Sequence, residues 1–325
     1  MNLKELENEI FSLTDHTTFE QLALEVYRFQ REHVPVYKEY VDLLKRPEPT
    51  KLAEIPFLPI AFFKSHAVIA DGFQPELLFK SSGTTGMQRS VHQVVFASLY
   101  ERSFLPTYIQ FSGSIQEQVI VALLPNYIEQ GNSSLVYMVE HLIAHTEDTR
   151  SGFYLHDTTQ VQAIFQAVKD SGKQLVVFGV SYALLDLAEK GVDLSGAIII
   201  ETGGMKGRRK ELSKEELHQL LCEGLGVSYI SSEYGMCELL SQAYADKAGL
   251  FTTPPWMQIM LRDVNDPFAY VAEGRTGGIN VIDLANLYSC SFIATQDLGR
   301  IEGKKFRLMG RFDHSDIRGC NLLVS

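Results

Sequence analysis

The chain is poor in cysteine, in long apolar runs and in positive charge. Its four cysteines, Cys222, Cys237, Cys290 and Cys320, stand far apart with no CxxC pair. Neither a zinc site nor a disulfide framework is indicated, and a reducing cytoplasm is the expected compartment. No run approaches the ~18–20 apolar residues of a membrane span. The opening MNLKELENEIF is acidic and polar, without the apolar centre of a signal peptide. With 29 Lys and Arg against 40 Asp and Glu, the net charge of −11 argues against a general nucleic-acid surface. A local loop can still receive an anion. Internal repeats and low-complexity segments are absent too.

What is there is a chain of 325 residues, 45% hydrophobic and 21% charged. Those are the values of a well-packed globular protein with one large domain or two ordinary ones. The first fifty residues read as helical: Thr17-x-x-Glu20 has the pattern of a capping box, and Leu22, Val26 and Phe29 recur at helical spacing. A short link with Pro47 and Pro49 leads into PFLPIAFFKSH (56–66). From residue 118 strand and helix alternate. QVIVALL, QLVVFGV, AIIIE and VSYISS read as strands; LVYMVEHLIAH, VQAIFQAVKDSG and a segment from Ser213 to near Gly224 read as helices. Ser213-x-x-Glu216 is a second capping box. Units of roughly thirty residues in this order predict parallel βαβ construction. After residue 255, GGINVIDL, SCSFIAT and KKFRLMG read as the short strands of a small β-subdomain. Ligands of such sheets bind where loops leave the carboxyl ends of strands, which places TGGMKGRR and SEYGMCE in one crevice.

FKSSGTTG (79–86) is the most unusual stretch. It puts Ser81, Ser82, Thr84 and Thr85 among Gly83 and Gly86, directly after Lys80. Glycine lets the backbone turn sharply and approach a ligand, and consecutive N–H groups with added hydroxyls form an anion nest suited to phosphate. It is not a Walker A loop, because the glycines are too close and no Gly-Lys follows. The bland alternative is a solvated turn of small polar residues.

Several segments resemble the ordered core motifs of the adenylate-forming (acyl-CoA synthetase) superfamily. They are SSGTTG at 81–86, GG at 203–204, EYGMCE at 233–238, TQDLGRI at 295–301 and MGRFDHSDIRG at 309–319. PFLPIAFFKSH, SEYGMCELLSQAY and the terminal DIRGCNLLV resemble, more narrowly, the LuxE-like acyl-protein synthetases. The resemblance covers nearly the whole chain. It implies an α/β fold like the N-terminal domain of adenylate-forming enzymes, with parallel βαβ sheets plus the small β-subdomain and without the full C-terminal domain. The segments would then be a helical part at 1–50, a core at 51–312 and a stub at 313–325 beyond the hinge.

The reaction so implied joins a carboxylate to the α-phosphate of ATP, releases pyrophosphate and passes the acyl group to a thiol. Bringing a carboxylate against a polyanion requires charge neutralisation and alignment more than a strong base. By resemblance, Ser81, Ser82, Gly83, Thr84, Thr85 and Gly86 hold the β- and γ-phosphates. Tyr234, followed by Gly235, lies beside adenine, and Gly203 and Gly204 admit the base. Glu238 holds Mg²⁺, Asp297 accepts from the ribose hydroxyls, and Arg311 contacts the same sugar. Cys320, after Arg318 and Gly319, resembles the cysteine that takes the acyl group as a thioester; a neighbouring Arg favours the thiolate. The residues themselves leave simpler roles open: Asp297 in a turn, Glu238 at a helix start, Tyr234 and Cys320 in the core. The expected partners are a carboxylic (fatty) acid and an acyl-accepting protein or reductase, with no nucleic acid and no membrane span.

The sequence departs from the superfamily pattern in three places. Arg89 stands where the phosphate loop usually continues to a lysine, and Cys237 stands where the aromatic-Gly-x-Thr-Glu motif has threonine. The chain runs only twelve residues past Asp313, so the domain that carries a catalytic lysine in the superfamily is expected to be missing. Lys64, Arg89, Lys206, Arg208 and Arg209 are the candidate replacements, with KGRRK (206–210) also readable as a solvated loop. Two rival functions follow. One is a nucleotide- or acyl-binding homologue without catalysis. The other is a serine hydrolase, because Gly179-Val180-Ser181-Tyr182-Ala183 comes close to a GxSxG elbow with His218 or His314 as partner.

Overall fold

The computed structural model describes residues 2–15, 17–82, 88–125, 132–155, 157–203 and 212–312. Three amphipathic helices open it: α1 (Leu3–Ser12), α2 (Phe19–His33) and α3 (Pro35–Leu44). The expected capping box at Thr17 does not form. Thr18 is the N-cap of α2 and makes no side-chain cap bond. Glu20 instead accepts from the Leu52 backbone N–H at 3.1 Å, so a tertiary contact takes the carboxylate a box would need. Strand β1 (Leu58–Pro59), helix α4 (Phe62–Ser65), the strands β2 (Leu77–Lys80) and β3 (Val91–Val94) and helix α5 (Ala97–Ser112) follow.

Next come β4 (Gln118–Leu123), α6 (Ser134–His145), β5 (Gly152–Phe153), α7 (Gln160–Ser171), β6 (Gln174–Gly179), α8 (Ser181–Glu189), β7 (Ile198–Glu201), α9 (Lys214–Leu225), β8 (Ser231–Tyr234) and β9 (Ala243–Ala245). The chain finishes with β10 (Phe251–Thr252), β11 (Met257–Arg262), β12 (Thr276–Asp283), β13 (Phe292–Glu302) and β14 (Lys305–Arg311). Two compact units result. One comprises Met1–Ser103, Glu238–Ser241 and Leu250–Ser325, the other Phe104–Cys237 and Gln242–Gly249.

In the second unit β5, β4, β6, β7 and β8 pair in parallel in that order, and β9 closes antiparallel on β8. This is the βαβ construction that the alternation predicts. Every residue of β4 is buried, as expected of a strand covered on both faces. Leu184 and Leu187 of α8 and Leu217 and Leu221 of α9 pack with Val119, Val121 and Val177 in one core. The Ser213 capping box forms, with Ser213 N–H donating to Glu216 (2.9 Å) and Glu216 N–H to Ser213 Oγ (3.2 Å). Helix α9 continues past Gly224, where a Cβ would lie 2.6 Å from the Ala188 methyl, so the glycine lets α9 close on α8. It ends instead at Gly226, whose φ of 67° is left-handed. β8 starts four residues later than VSYISS suggests and takes in Glu233 and Tyr234.

In the first unit β11, β12, β13 and β14 form an antiparallel run, β10 joins at β14, and β1 lies parallel to β13. The strands expected after residue 255 are therefore present, in a unit that also holds the N-terminal helices. Tyr27, Tyr37 and Phe57 surround Phe292 of β13 at ring-centroid distances of 6.0 to 6.4 Å. Gln30 of α2 is fully buried and reaches the turn between β12 and β13 with both ends of its amide.

Candidate nucleotide site

In the first unit β2 and β3 form the hairpin that carries SSGTTG. Lys80 pairs with Val91, and two bonds close the loop at its base: Ser81 N–H to Ser90 O (3.1 Å) and Ser90 N–H to Ser81 Oγ (3.0 Å). Antiparallel pairing thus delivers a loop whose Ser81 is already partly buried and whose Ser82 is exposed. Gly83, Thr84, Thr85 and Gly86 lie outside the described residues. So do Gly204, Lys206, Arg208, Arg209, His314 and Cys320. Arg89 is exposed on the return limb, and Lys64 of α4 accepts a bond from Gln88 at its backbone carbonyl.

The same unit holds Glu238, which is buried, and whose backbone carbonyl accepts from Asn286 Nδ2 at 2.8 Å. Leu240 N–H, Ser241 N–H and Ser241 Oγ all donate to Asp283, at 2.8, 2.9 and 2.6 Å. Burial outweighs these three bonds and pushes the Asp283 carboxyl up to about 6. Asp297 on β13 faces Arg311 on β14 in register, and Arg311 Nε lies 3.1 Å from Asp297 Oδ1. Two residues fourteen apart in the sequence and both expected at the ribose are thus neighbours across consecutive strands. The carboxylate is mostly covered and the guanidinium largely exposed, at 13% and 69% of their side chains. Among the described residues no group of three or more His, Cys, Asp or Glu side chains is placed to hold a metal ion. Glu238 offers one hard oxygen donor, which suits Mg²⁺ that keeps most of its ligands from water and phosphate.

The second unit holds Gly203, Tyr234, Gly235 and an acid–base cluster at the ends of β7 and β8 that motif reading did not find. Glu201 ends β7, is buried, and accepts at Oε1 from Ser181 Oγ and from Gly203 N–H, both at 2.6 Å. Ser181 N–H donates in turn to Gly203 O (2.9 Å), and Thr202 N–H to Gly179 O (3.0 Å). Glu201 therefore locks the turn at Gly203, whose φ of 79° only glycine adopts easily, to the start of α8. A serine hydrolase is organised differently. Here the carboxylate stands between the serine, which donates to it, and His218, whose Nε2 is 3.9 Å from Glu201 Oε2. Burial raises the Glu201 pKa, but His218, Lys214, Ser181 and Gly203 together bring it below its ordinary value.

Tyr234 is buried in β8 opposite Ala243. A Cβ at Gly235 would lie 2.2 Å from Glu233 Oε1, so any larger residue there would displace that carboxylate. Burial, and next the charge of Glu201, push the Glu233 carboxyl up to about 8 against the partial relief given by Lys214. A carboxyl that holds its proton longer in the native than in the unfolded state makes stability fall as pH rises. The window runs from its ordinary 4.5 to about 8. The expected slope from Glu233 is up to about 1.4 kcal/mol per pH unit. Urea unfolding of the wild type and Glu233→Gln across this window should give a flatter profile for the variant, and parallel profiles would remove Glu233 as the cause. The sequence signals for this cluster were the glutamate ending the apolar run AIIIE, the Ser181 and His218 of the hydrolase-like pattern, and the EYGMCE motif that begins at Glu233; Lys214, Asp283 and Asn286 carried none.

The second unit's parallel sheet and the first unit's antiparallel strands recur in solved enzymes. A 2-hydroxyisobutyryl-CoA ligase, solved in an open conformation with 2-HIB-AMP and CoA, is similar to this chain with a TM-score of 0.60 and 12% identity. The match covers 94% of this chain and 77% of the ligase. The O-succinylbenzoate coenzyme A synthetase of Bacillus subtilis, solved with ATP and magnesium ion, matches with a TM-score of 0.50 and 17% identity over 72% of this chain. This chain spans about half the length of that synthetase, 49%. The fold is that of the N-terminal domain of adenylate-forming enzymes. No curated protein matches the chain. The model of the family described as acyl-protein synthetase, LuxE, matches residues 13–325, and the chain belongs to that family.

Proposed function

We propose that the protein activates a carboxylic acid, of the fatty class, with ATP and Mg²⁺ and delivers the acyl group to a thiol. The observation that carries this reading is the family match over residues 13–325. The pairing of Asp297 with Arg311 and the Glu201-held turn at Gly203 support it. In the first step a carboxylate oxygen bonds to the α-phosphorus of ATP, and the bond to the leaving pyrophosphate breaks. In the second a thiolate bonds to the acyl carbon, and AMP leaves with the former carboxylate oxygen.

The roles proposed for the chain's own residues follow from their chemistry. Ser81 and Ser82, with Gly83 to Gly86, donate to phosphate oxygens; Gly203, Gly204, Tyr234 and Gly235 border the base; Asp297 and Arg311 hold the ribose. Glu238 supplies the carboxylate for Mg²⁺, which neutralises phosphate charge when bound. Arg89 and Lys206 are the cations assigned to the transferring phosphate, and Cys320 or a partner protein's thiol is the acceptor. The segments 1–50, 51–312 and 313–325 and a cytoplasmic setting belong to the same proposal. No helix among the described residues is long and apolar enough to cross a membrane.

The test of the acceptor is labelling with an alkynyl fatty acid and ATP, followed by hydroxylamine. The wild type should carry a hydroxylamine-sensitive label, and Cys320→Ser should lose about nine-tenths of it, as expected for a thiolate nucleophile. Full labelling of Cys320→Ser would eliminate that residue as acceptor.

A further inference from the structure

The hairpin that carries SSGTTG and the segment that carries Glu238 are joined through a buried side-chain pair. His92 lies on β3 opposite Phe79, two residues after the Ser90 that closes the loop base, and is fully buried. Its Nε2 is 2.9 Å from Asn286 Oδ1. The ring of Phe63 packs against it edge-on with centroids 5.8 Å apart. Asn286 comes from the turn after β12, and its Nδ2 donates to Glu238 O at 2.8 Å and to Cys290 O at 3.0 Å.

Two carbonyls on one side of the amide can be met only by its NH₂ group, so Oδ1 must be the atom facing His92. An acceptor there requires a hydrogen on His92 Nε2, which settles the tautomer from the partners alone. Further contacts hold the turn that carries Asn286 and the segment that carries Glu238. Gln30 Nε2 donates to Asn286 O (3.0 Å) and Leu287 O (2.8 Å), and Asp283 holds the Leu240 and Ser241 end of the Glu238 segment. A shift of the hairpin is therefore passed through two hydrogen bonds to the backbone of Glu238.

We propose that His92 and Asn286 are positioning residues that set the base of the hairpin, at Ser81 and Ser82, and Glu238 in register for a metal–polyphosphate ligand. This rests on the reading that the loop takes the β- and γ-phosphates and Glu238 the metal. It predicts a selective effect: a ligand with a metal-bound triphosphate feels the pair, and AMP, which lacks those phosphates, does not.

Titration calorimetry with Mg²⁺ and β,γ-methylene-ATP, and separately with AMP, tests it. His92→Leu should weaken the triphosphate about tenfold, the scale of one lost buried hydrogen bond, and leave AMP unchanged. His92→Gln, whose amide can donate to the same Asn286 oxygen, should bind the triphosphate within about threefold of wild type. The imidazole nitrogen spectrum of the wild type should show the Nε2–H form. Wild-type triphosphate affinity in His92→Leu, equal weakening of both ligands, or an Nδ1–H imidazole would overturn the proposal. A wild type that binds neither nucleotide would overturn the nucleotide reading beneath it.

Discussion

Glu238→Gln is expected to lower carboxylate-dependent ATP–pyrophosphate exchange by about a hundredfold, the scale of removing one charge-stabilising group from a transition state. The substitution keeps the side chain's shape and removes its charge. The backbone of residue 238 is held independently by Asn286, and residues 240 and 241 by Asp283, so the segment should stay in place. The loss should therefore appear in exchange and in the Mg²⁺ concentration needed for half-maximal rate, with the unfolding midpoint nearly unchanged. If Glu238 serves only to cap or fill its surroundings, the outcome reverses: the midpoint falls and the Mg²⁺ dependence stays. Exchange within threefold of wild type would exclude Glu238 from the metal.

Gln30→Leu is expected to cost about 4 kcal/mol of stability, because it strands several buried partners at once. Gln30 Nε2 meets Asn286 O, Leu287 O and Ser291 Oγ at 3.0, 2.8 and 3.0 Å, and its Oε1 accepts from Ser291 N–H at 2.9 Å. One amide thus ties α2 to the turn between β12 and β13. Leucine fills a similar volume, so cavity formation contributes little and the penalty is that of desolvated groups left without partners. Urea unfolding measures it, and a loss below about 1 kcal/mol would mean that water reaches and satisfies those carbonyls. Since Gln30 also supports Asn286, the same variant should weaken metal–triphosphate binding even at temperatures where it remains folded.

The parts of this fold that were legible were those encoded locally. QVIVALL and QLVVFGV announce strands because a parallel strand covered on both faces is apolar throughout, and the Ser213 box works because both its groups belong to one turn. Thr17-x-x-Glu20 has the same local pattern and fails because the helix begins one residue later, with Thr18 as its N-cap, and Glu20 instead accepts from Leu52, thirty-two residues away. The site divides along the same line. Glycine- and hydroxyl-rich stretches and an ordered set of motifs mark Ser81, Gly203, Asp297 and Arg311. Gln30, His92, Glu201, Asp283 and Asn286 earn their roles from partners up to 261 residues away, and no periodicity or spacing reports such pairings. The hydrolase elbow shows the converse: Gly179-Val180-Ser181 has the right local turn, and the third dimension gives its serine a carboxylate in place of an imidazole.

The most direct measurement is ATP–pyrophosphate exchange by the wild-type protein with Mg²⁺ across a panel of fatty and aromatic acids. Exchange that depends on added acid, is strongest with a fatty chain and vanishes on chelation of Mg²⁺ is the predicted result. Tight nucleotide binding with no exchange for any acid would contradict acyl activation and favour a binding protein, in line with the buried Cys237 that stands where the motif has a hydroxyl.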